Sequence, residues 1–404
     1  MYNLMNRAIV LGGTNDHIEL AQKLRKLNFF VIIIDYLPNP IAKREADLFI
    51  NESVTDKNKV LDIAKEYKVS FISSICSEAG MLTSAYVSDE LKIPTLVNYE
   101  TIKLCTNKSS MKNVLLKSKI LTPRAFDLKE IKTKKDLYVF PVVVKPVDSN
   151  SSKGITKIDN FNFLDEGIEL AKKYSKQKNI IIEEYIKGRE FSVDGYIINK
   201  NFHLLCISEL KKIQNKKHFT INECAYVDNI AENIFDQICL SAQKIIENFN
   251  LKNGPLLIQG IIKDDDFFVL EFSPRIGGGS KNQFVYTLTE NNMMQLYLNQ
   301  CLNQNKIIIK KEKKYHSALM KYYYFNGSYY KETKNINTLL KEKVILKSFL
   351  YKNNKTHINN HKYSSDRILG VLITSKNNKS MISKIDKIEN DLIIADNENK
   401  DRKF

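Results

Sequence analysis

Hydrophobic and polar residues alternate in blocks along the first hundred residues, and the blocks have the lengths of strands and helices. Short apolar runs predict three strands, at 7–13, 29–35 and 69–75. Apolar residues three and four positions apart predict three amphipathic helices, at 17–27, 56–67 and 78–91. Because strands and helices alternate, we expect an open parallel α/β sheet covered by helices.

The pattern changes after about residue 106, where paired apolar segments replace the alternation. Three stretches each predict two neighbouring strands, at 140–155, 179–198 and 254–279. Such pairs are typical of an antiparallel α+β layer, and two more strand-like segments follow at 315–325 and 367–375. We therefore predict an α/β domain at 1–105, an antiparallel-rich α+β domain at 106–310 and a small β-rich C-terminal subdomain at 311–404.

The composition provides enough apolar material for a buried core, since 43% of the 404 residues are hydrophobic. The longest apolar runs, such as 29–34, fall far short of the roughly 20 residues that a membrane span needs. We therefore expect a cytoplasmic protein with no membrane partner. Its six cysteines are scattered without a CxxC pair, which argues against disulfides and against a zinc site.

A formal net charge of +16 raises the question of a nucleic-acid partner. Only 8 of the 62 basic residues are arginine, whereas base readout favours arginine over lysine. No zinc-finger, RRM or helix-turn-helix pattern accompanies the charge. We expect an anionic small molecule, which a basic surface attracts, and rank a nucleic-acid partner well below it.

Two lysines stand where a phosphate could bind. Lys108 lies just inside a predicted helix start, and Lys145 closes the apolar run VVVK. A lysine at a strand end presents a compact positive charge from a rigid position. The following loop, DSNSSKG at 148–154, has small side chains and backbone N–H groups that could fold over a polyphosphate.

The predicted hairpin at 254–279 brings oxygen ligands together. Gln259 and Glu271 lie on facing strands, and Ser273 shares a strand face with Glu271 because residues two apart point the same way. Three oxygen donors suit Mg²⁺. Arg275 is followed by Ile and three glycines, and close backbone approach to a ligand explains those glycines better than packing does.

These segments, in this order, resemble the ATP-grasp superfamily of ADP-forming ligases over roughly residues 5–310. The strand–turn motif EEYIKGRE at 183–190 is similar to the family's adenine and ribose site, and EFSPR at 271–275 is similar to its metal motif. The resemblance implies a Rossmann-like preATP-grasp domain followed by a two-lobed ATP-grasp fold, with a lid lobe at about 113–182. It also implies ATP contacts from Lys108, Lys145, Ser151, Ser152, Gly154, Glu183, Glu184, Tyr185, Ile186 and Glu190.

The resemblance further implies one or two Mg²⁺ ions, with Mn²⁺ as an alternative, on Gln259, Glu271 and Ser273. Two of these depart from the commonest pattern: Gln259 replaces an acid, as in carbamoyl-phosphate synthetases, and Ser273 replaces Asn, as in formate-dependent glycinamide ribonucleotide transformylases. Arg275 and Lys145 would be catalytic, and Glu78, Arg275, Gly277 and Gly278 would meet the substrate. For Glu78, capping of a helix N-terminus is the competing interpretation.

By the same resemblance, the chain would activate a carboxylate as an acyl phosphate and join it to an amine, releasing ADP and phosphate. Two alternatives stay open: a ligase that uses bicarbonate or formate, and a non-catalytic ATP-binding module. The sequence does not identify either substrate. It leaves a homodimer open, since dimers are common in the family.

Overall fold

The computed structural model describes residues 6–133, 139–149, 152–213, 219–304, 307–358 and 363–404. Its N-terminal layer is a four-stranded parallel sheet in the order β3-β2-β1-β4, formed by β1 (Arg7–Leu11), β2 (Phe30–Asp35), β3 (Leu48–Asn51) and β4 (Phe71–Ser73). The helices of this part are α1 (Asn15–Lys26), α2 (Lys57–Glu66), α3 (Glu78–Leu91) and α4 (Tyr99–Thr106).

The parallel α/β sheet is therefore confirmed, with one strand more than the sequence predicts. β3 is an edge strand whose residues are half-buried or exposed, and its apolar run of three residues, 48–50, is shorter than the runs that mark β1 and β2. β1 and β2, in contrast, are buried along almost their whole length. The turn after β1 needs Gly12, which has φ +119° and whose added Cβ would lie 2.5 Å from the His17 ring.

The lid lobe is an antiparallel sheet in the order β5-β8-β6-β7, with its helices on one side. Its helices are α5 (Lys108–Lys117), which leads into the lobe, α6 (Leu128–Thr133) and α7 (Leu164–Tyr174). Its strands are β5 (Ala125–Phe126), β6 (Val142–Pro146), β7 (Thr156–Ile158) and β8 (Ile180–Glu184). Ile168 of α7 packs into a core with Val142, Val144 and Ile182, so the lobe buries its own apolar residues.

The largest layer is an eight-stranded antiparallel sheet in the order β13-β12-β9-β10-β11-β14-β19-β17. Its strands are β9 (Arg189–Ile198), β10 (Asn201–Lys212), β11 (Ile221–Tyr226), β12 (Gly254–Lys263), β13 (Asp266–Ser273), β14 (Ala318–Tyr323), β17 (Lys347–Leu350) and β19 (Leu369–Thr374). The helices between its strands are α8 (Glu232–Asn248), α9 (Lys281–Thr289) and α10 (Met293–Cys301).

The C-terminal part continues this sheet, because β14 pairs with β11 and β19 pairs with β14. Its remaining elements are β15 (Tyr329–Tyr330), β16 (Glu332–Lys334), α11 (Ile336–Lys341), β18 (Thr356–His357), α12 (Asn378–Asp391) and β20 (Ile393–Ala395). One hydrophobic core includes Ile33, Phe284 and Met320, which come from all three predicted domains. The boundaries at 105/106 and 310/311 thus stay predictions, and the second one cuts a continuous sheet.

No helix in the described ranges is both long enough and apolar enough to cross a membrane.

The buried His17 predicts a pH dependence of stability. Burial lowers the pKa of His17 to about 4, and its Nδ1 accepts a hydrogen bond from the Thr14 N–H. As the pH falls below 6.5, the unfolded chain takes up a proton that the folded chain refuses, so stability is lost. We expect this group alone to remove about 2 kcal/mol of unfolding free energy between pH 7 and pH 5.

Urea unfolding of the wild type, His17→Gln and the matched control His203→Gln at both pH values measures this effect. The His17→Gln variant should show a smaller pH dependence than the wild type, and His203→Gln, on strand β10, should keep the wild-type dependence. Equal pH dependence in all three proteins would contradict the prediction.

Candidate active site

The predicted metal ligands lie side by side at one end of the large sheet. Gln259 of β12 pairs directly with Glu271 of β13, and Leu257 pairs with Ser273. Ser273 is only 5% exposed, and its Oγ has no hydrogen-bond partner among the residues that the structure describes. A buried hydroxyl without a partner is costly unless a ligand satisfies it. The donor set therefore fits an oxygen-loving divalent cation.

Charge at this site is low for a metal centre. Within the described ranges, no group of three or more His, Cys, Asp or Glu residues is arranged to hold a metal. Among the three predicted ligands, Gln259, Glu271 and Ser273, only Glu271 is an acid. Bound phosphate oxygens would have to complete the coordination of Mg²⁺, which usually binds through few carboxylates plus substrate phosphates.

Lys108 connects this acid to the loop that follows β6. It is the first residue of α5, whose N-cap Asn107 accepts a bond from the Ser110 N–H. The buried Lys108 Nζ lies 3.6 Å from Glu271 Oε2 and donates to the Ser149 carbonyl at 2.6 Å. Burial acts to lower the pKa of Lys108, but Glu271 and Glu78 raise it above its ordinary value. Lys108 therefore keeps its positive charge in its position between Glu271 and the loop.

Lys145 belongs to a second buried cluster. Its Nζ lies 2.5 Å from Glu183 Oε2, and Lys112 Nζ lies 2.8 Å from the other oxygen of the same carboxylate. Burial acts to raise the pKa of Glu183, but the two lysines lower it below its ordinary value. Two ammonium groups share one carboxylate, so the cluster keeps one net positive charge and can neutralise a phosphate oxygen.

Sequence reasoning missed Lys112. It follows Lys108 by one helical turn on α5, so the i, i+4 spacing would have placed it on the same face. Its Nζ also donates to Thr122 Oγ1 at 2.6 Å and to the Pro123 carbonyl at 2.9 Å. Lys112 is therefore held rigidly and in turn fixes the carboxylate that holds Lys145.

The acids of the predicted nucleoside segment are engaged by the protein. Glu183 serves the two lysines, Glu184 accepts from the Arg124 N–H at 2.8 Å, and Glu190 pairs with Lys212. Tyr185 lies under Lys157, with 4.9 Å between Nζ and the ring centre, and Ile186 is buried. Adenine contacts by Glu183 and Glu184 would therefore use backbone atoms, and the nucleoside roles of this segment stay predictions.

The predicted phosphate loop is only partly described, and Ser151 lies outside the described residues. Ser152 donates to the Phe219 carbonyl at 3.3 Å. Gly154 has φ +73°, and an added Cβ would lie 2.7 Å from Tyr174 Cβ. Close packing therefore explains this glycine without a ligand.

Arg275 and the glycine run follow β13, and Arg275 lies close enough to Glu271 to act on its charge. Arg275 donates to the Ile276 carbonyl, and its buried Nε has no partner in the described part of the chain. Gly277 is packed against Lys281, whereas the exposed Gly278 has room for a side chain, since its added Cβ meets only the Cys76 carbonyl, at 3.7 Å. Of these two glycines, Gly278 therefore leaves open the space that a side chain would occupy.

Glu78 lies at the start of α3, close enough to Lys108, Arg275 and Glu271 to feel their charges. The N-cap residue of this helix is Ser77, which accepts from the Gly80 N–H, while Glu78 is the acid of the first turn, where it interacts favourably with the positive end of the helix dipole. Burial raises the pKa of Glu78 even though Lys108 and Arg275 act to lower it. A carboxyl group with a raised pKa beside two cations is a candidate partner for an amine.

Other charged residues near the glycine run come from distant parts of the chain and carried no sequence signal. Asp16 accepts bonds from the Gly279 and Ser280 N–H groups, at 3.2 and 2.9 Å. The Arg367 guanidinium stacks on the Tyr322 ring at 4.1 Å. Lys281 lies 3.2 Å from Asp194 and donates to Ser208 at 2.6 Å. Only the fold brings these groups together.

Comparison with known proteins agrees with this geometry. Residues 138–283 match the ATP-grasp domain family. The chain is 24% identical over 277 residues to a formate-dependent phosphoribosylglycinamide formyltransferase of Prochlorococcus marinus (strain AS9601), covering 67% of this chain and 69% of the relative. It is 32% identical over 146 residues to a D-alanine–D-alanine ligase of Petrotoga mobilis, covering 34% of this chain and 47% of that relative.

The fold also matches a solved structure over nearly its whole length. The crystal structure of an L-amino acid ligase from Bacillus licheniformis superposes with a TM-score of 0.76 at 18% identity, covering 96% of this chain and 98% of that chain. The chain therefore shares its fold with this ligase. The matched ATP-grasp domain, residues 138–283, lies within this fold.

The Lys281–Asp194 pair predicts a large loss of stability in one variant. Both residues are buried, at 4% and 1% exposure. Burial acts to lower the pKa of Lys281, but Asp194 raises it above its ordinary value. Lys281→Met would leave a buried carboxylate unpaired, so we expect it to cost about 3–5 kcal/mol of unfolding free energy.

Chemical unfolding measures this cost against Lys313→Met, which removes an exposed partner of Asp228 and should cost at most about 1 kcal/mol. The double variant Asp194→Asn/Lys281→Met should recover part of the loss because it removes both charges. Equal losses in Lys281→Met and Lys313→Met would contradict the prediction.

Proposed function

We propose that this chain is an ADP-forming ligase that activates a small-molecule carboxylate with ATP and joins it to an amine. The observation that carries this proposal is the position of Lys108, held between Glu271 and the loop after β6. Glu271 shares β13 with Ser273, whose Oγ has no hydrogen-bond partner among the described residues. A cation, an acid and a free hydroxyl at one cleft are what a metal-bound polyphosphate requires. The matching family and relatives support the same chemistry.

Residues of both lobes would bind the nucleotide. Lys108 and the Lys145–Glu183–Lys112 cluster would neutralise phosphate oxygens, and because these lysines are buried, water screens their charge little. Gln259, Glu271 and Ser273 would hold Mg²⁺. When bound, that ion neutralises phosphate charge and orients the phosphates.

The reaction would then proceed in two transfers. The γ-phosphoryl group moves from ATP to an oxygen of the substrate carboxylate, which breaks the bond to ADP and forms an acyl phosphate. The amine attacks the acyl carbon, a C–N bond forms, and phosphate leaves with the C–O bonding electrons. Arg275 would stabilise the charge on the transferring group. Glu78, with its raised pKa, would receive or orient the amine.

A second candidate is a ligase that takes formate or bicarbonate as the acid. The longest of the sequence matches described above is to a formate-dependent enzyme, and the SPR sequence at 273–275 is similar to the motif of that group. A panel of formate, bicarbonate and amino acids, each tested with a panel of amines for ADP release, separates the candidates. Tight ATP binding without ADP release across the panel would favour a non-catalytic ATP-binding module.

We also propose a homodimer in the cytoplasm, with the three domains bounded at 105/106 and 310/311. The assembly rests on the resemblance to a family rich in dimers. Sedimentation velocity of the purified chain decides between monomer and dimer.

Two substitutions test the site directly. We expect Lys145→Met and Glu271→Gln each to lower ATP turnover at least a hundredfold, because each removes a charge that would balance the phosphates or the metal. ADP release with the best acid–amine pair is the measurement, and circular dichroism checks that each variant is folded.

Matched controls lie on the same elements of structure. Lys173→Met changes an exposed lysine of the lid helix α7, and Asp266→Asn changes an acid at the far end of β13. Both should keep turnover within about twofold of the wild type. Wild-type turnover in Lys145→Met and Glu271→Gln would show that the site is assigned to the wrong residues.

The neutral Gln259 predicts a specific response to metal. Gln259→Glu places a second acid opposite Glu271, and added ligand charge tightens the binding of divalent cations. We expect the Mg²⁺ concentration for half-maximal ADP release to fall severalfold. The control Gln243→Glu, on the outer helix α8, should leave it unchanged, and an equal or higher requirement in Gln259→Glu would contradict the assignment.

A further inference from the structure

The loop that follows Arg275 has a backbone conformation that must be held in place. Gly279 and Ser280 both have positive φ, +76° and +60°. The left-handed region is unfavourable for a serine, and such a conformation persists only where the surroundings enforce it. Ser280 is 1% exposed, so the enforcing contacts must come from neighbouring parts of the protein.

Three side chains supply these contacts. Asp16, in the first turn of α1, accepts from the N–H groups of both Gly279 and Ser280. Tyr322 donates to the Gly279 carbonyl at 2.9 Å, and Tyr351 Oη lies 2.9 Å from Ser280 Oγ. Asp16 provides the charged partner, and charge-assisted bonds are roughly twice as strong as neutral ones.

We propose that Asp16 is a positioning residue of the ligase: its carboxylate fixes the loop that presents Arg275 and Gly278 to the acceptor substrate. Asp16 bonds two successive N–H groups four and five residues after Arg275 and lies 263 and 264 positions away from them in sequence. It therefore ties the N-terminal sheet to the loop that follows Arg275. This inference rests on the proposed ligase function, and it assigns Asp16 no contact with reacting atoms.

The surroundings of Asp16 make its role depend on pH. Arg367 faces it from the C-terminal part, Cys76 from the segment after β4, and Glu19 from its own helix. Burial raises the pKa of Asp16 to about 6, although Arg367 and the two loop N–H groups act to lower it. Protonation adds an O–H donor that faces N–H donors, so one loop bond is lost as the pH falls through this range.

Helix α1 offers a matched control one turn later. Glu19 accepts from Asn282 and Gln283 of α9 at 2.9 and 2.7 Å, so it joins the same two parts of the protein without bonding the loop backbone. Glu19→Gln therefore reports what any loss of a carboxylate between these parts would do. Asp16→Asn keeps one acceptor oxygen, and Asp16→Ala removes both.

Steady-state ADP release tests the inference. We expect kcat to fall about tenfold in Asp16→Asn and about hundredfold in Asp16→Ala, because displacing a substrate-positioning loop by about 1 Å can cost a hundredfold. KM for ATP should stay within twofold of the wild type in both, since the lysine clusters are untouched. Glu19→Gln should stay within twofold in both constants. A loss of kcat that is equal in Glu19→Gln, or that comes with an equal rise in KM for ATP, would overturn the positioning role.

The pH dependence of activity gives a further test, because a purely structural role of Asp16 would not change it. The wild type should lose activity with a midpoint near pH 6. Glu19→Gln should lose it at a lower pH, because the charge of Glu19 helps to raise the pKa of Asp16, and Asp16→Asn should lack this limb because its amide does not titrate. The same limb in Asp16→Asn would overturn the inference.

Hydrogen exchange separates this inference from the proposed function. If no acid–amine pair gives ADP with the wild type, the ligase proposal fails, and the loop is still measurable. Exchange of the Gly279 and Ser280 amides should be at least tenfold faster in Asp16→Asn than in the wild type, and unchanged in Glu19→Gln. Unchanged exchange in Asp16→Asn would show that its carboxylate does not hold the loop.

Discussion

Buried lysines between the lid lobe and the large sheet impose the constraint on which the site depends. An ammonium group removed from water must be paired with negative charge, or its burial is strongly unfavourable. Lys108 finds Glu271, and Lys145 shares Glu183 with Lys112. With Arg275 and Glu78 included, four cations face three acids. The cleft thus holds an excess of positive charge that a polyphosphate is suited to neutralise.

This arrangement also explains why the paired residues sit at the ends of secondary-structure elements. Lys108 begins α5, Lys145 is near the end of β6, and Glu271 and Ser273 close β13. At such positions the backbone is fixed by the helix or the sheet ladder while the side chain projects past it into the cleft. Charges held in this way do not have to be reorganised when a ligand arrives, which is the condition for effective electrostatic stabilisation.

How far the sequence predicted the site depends on the separation of the residues concerned. The Asn–Lys helix start, the apolar strand ending in Lys145 and the hairpin that pairs Gln259 with Glu271 are local patterns, and the structure places each as expected. The Asp16 bonds to the loop and the Lys281–Asp194 pair join residues that no local pattern relates. The half-buried strand β3 was missed because its apolar run, 48–50, is only three residues long.

The pairing of the C-terminal strands with the large sheet was not predicted either, because it also joins residues that no local pattern relates. Their strand character is local and was predicted, but strand pairing depends on register between segments about a hundred residues apart, such as Cys224 and Met320. The carboxylate of Glu183 gives a third case. The motif around Glu183 resembles a nucleoside site, yet in the structure its buried side chain holds two lysines. That role is a consequence of burial, which the motif does not indicate.

The neutral metal ligands can be understood from the same balance of charge. Gln259 and Glu271 are direct cross-strand neighbours, and two like charges in that position would repel each other in the protein without metal. Lys108, 3.6 Å from Glu271, already compensates that single acid. A neutral glutamine avoids this repulsion and keeps the hairpin stable before ligands bind. It also leaves the proposed metal site with less negative charge than a second acid would give. In the proposed site, metal binding would then depend on the phosphates that arrive with the nucleotide, which would couple the two binding events.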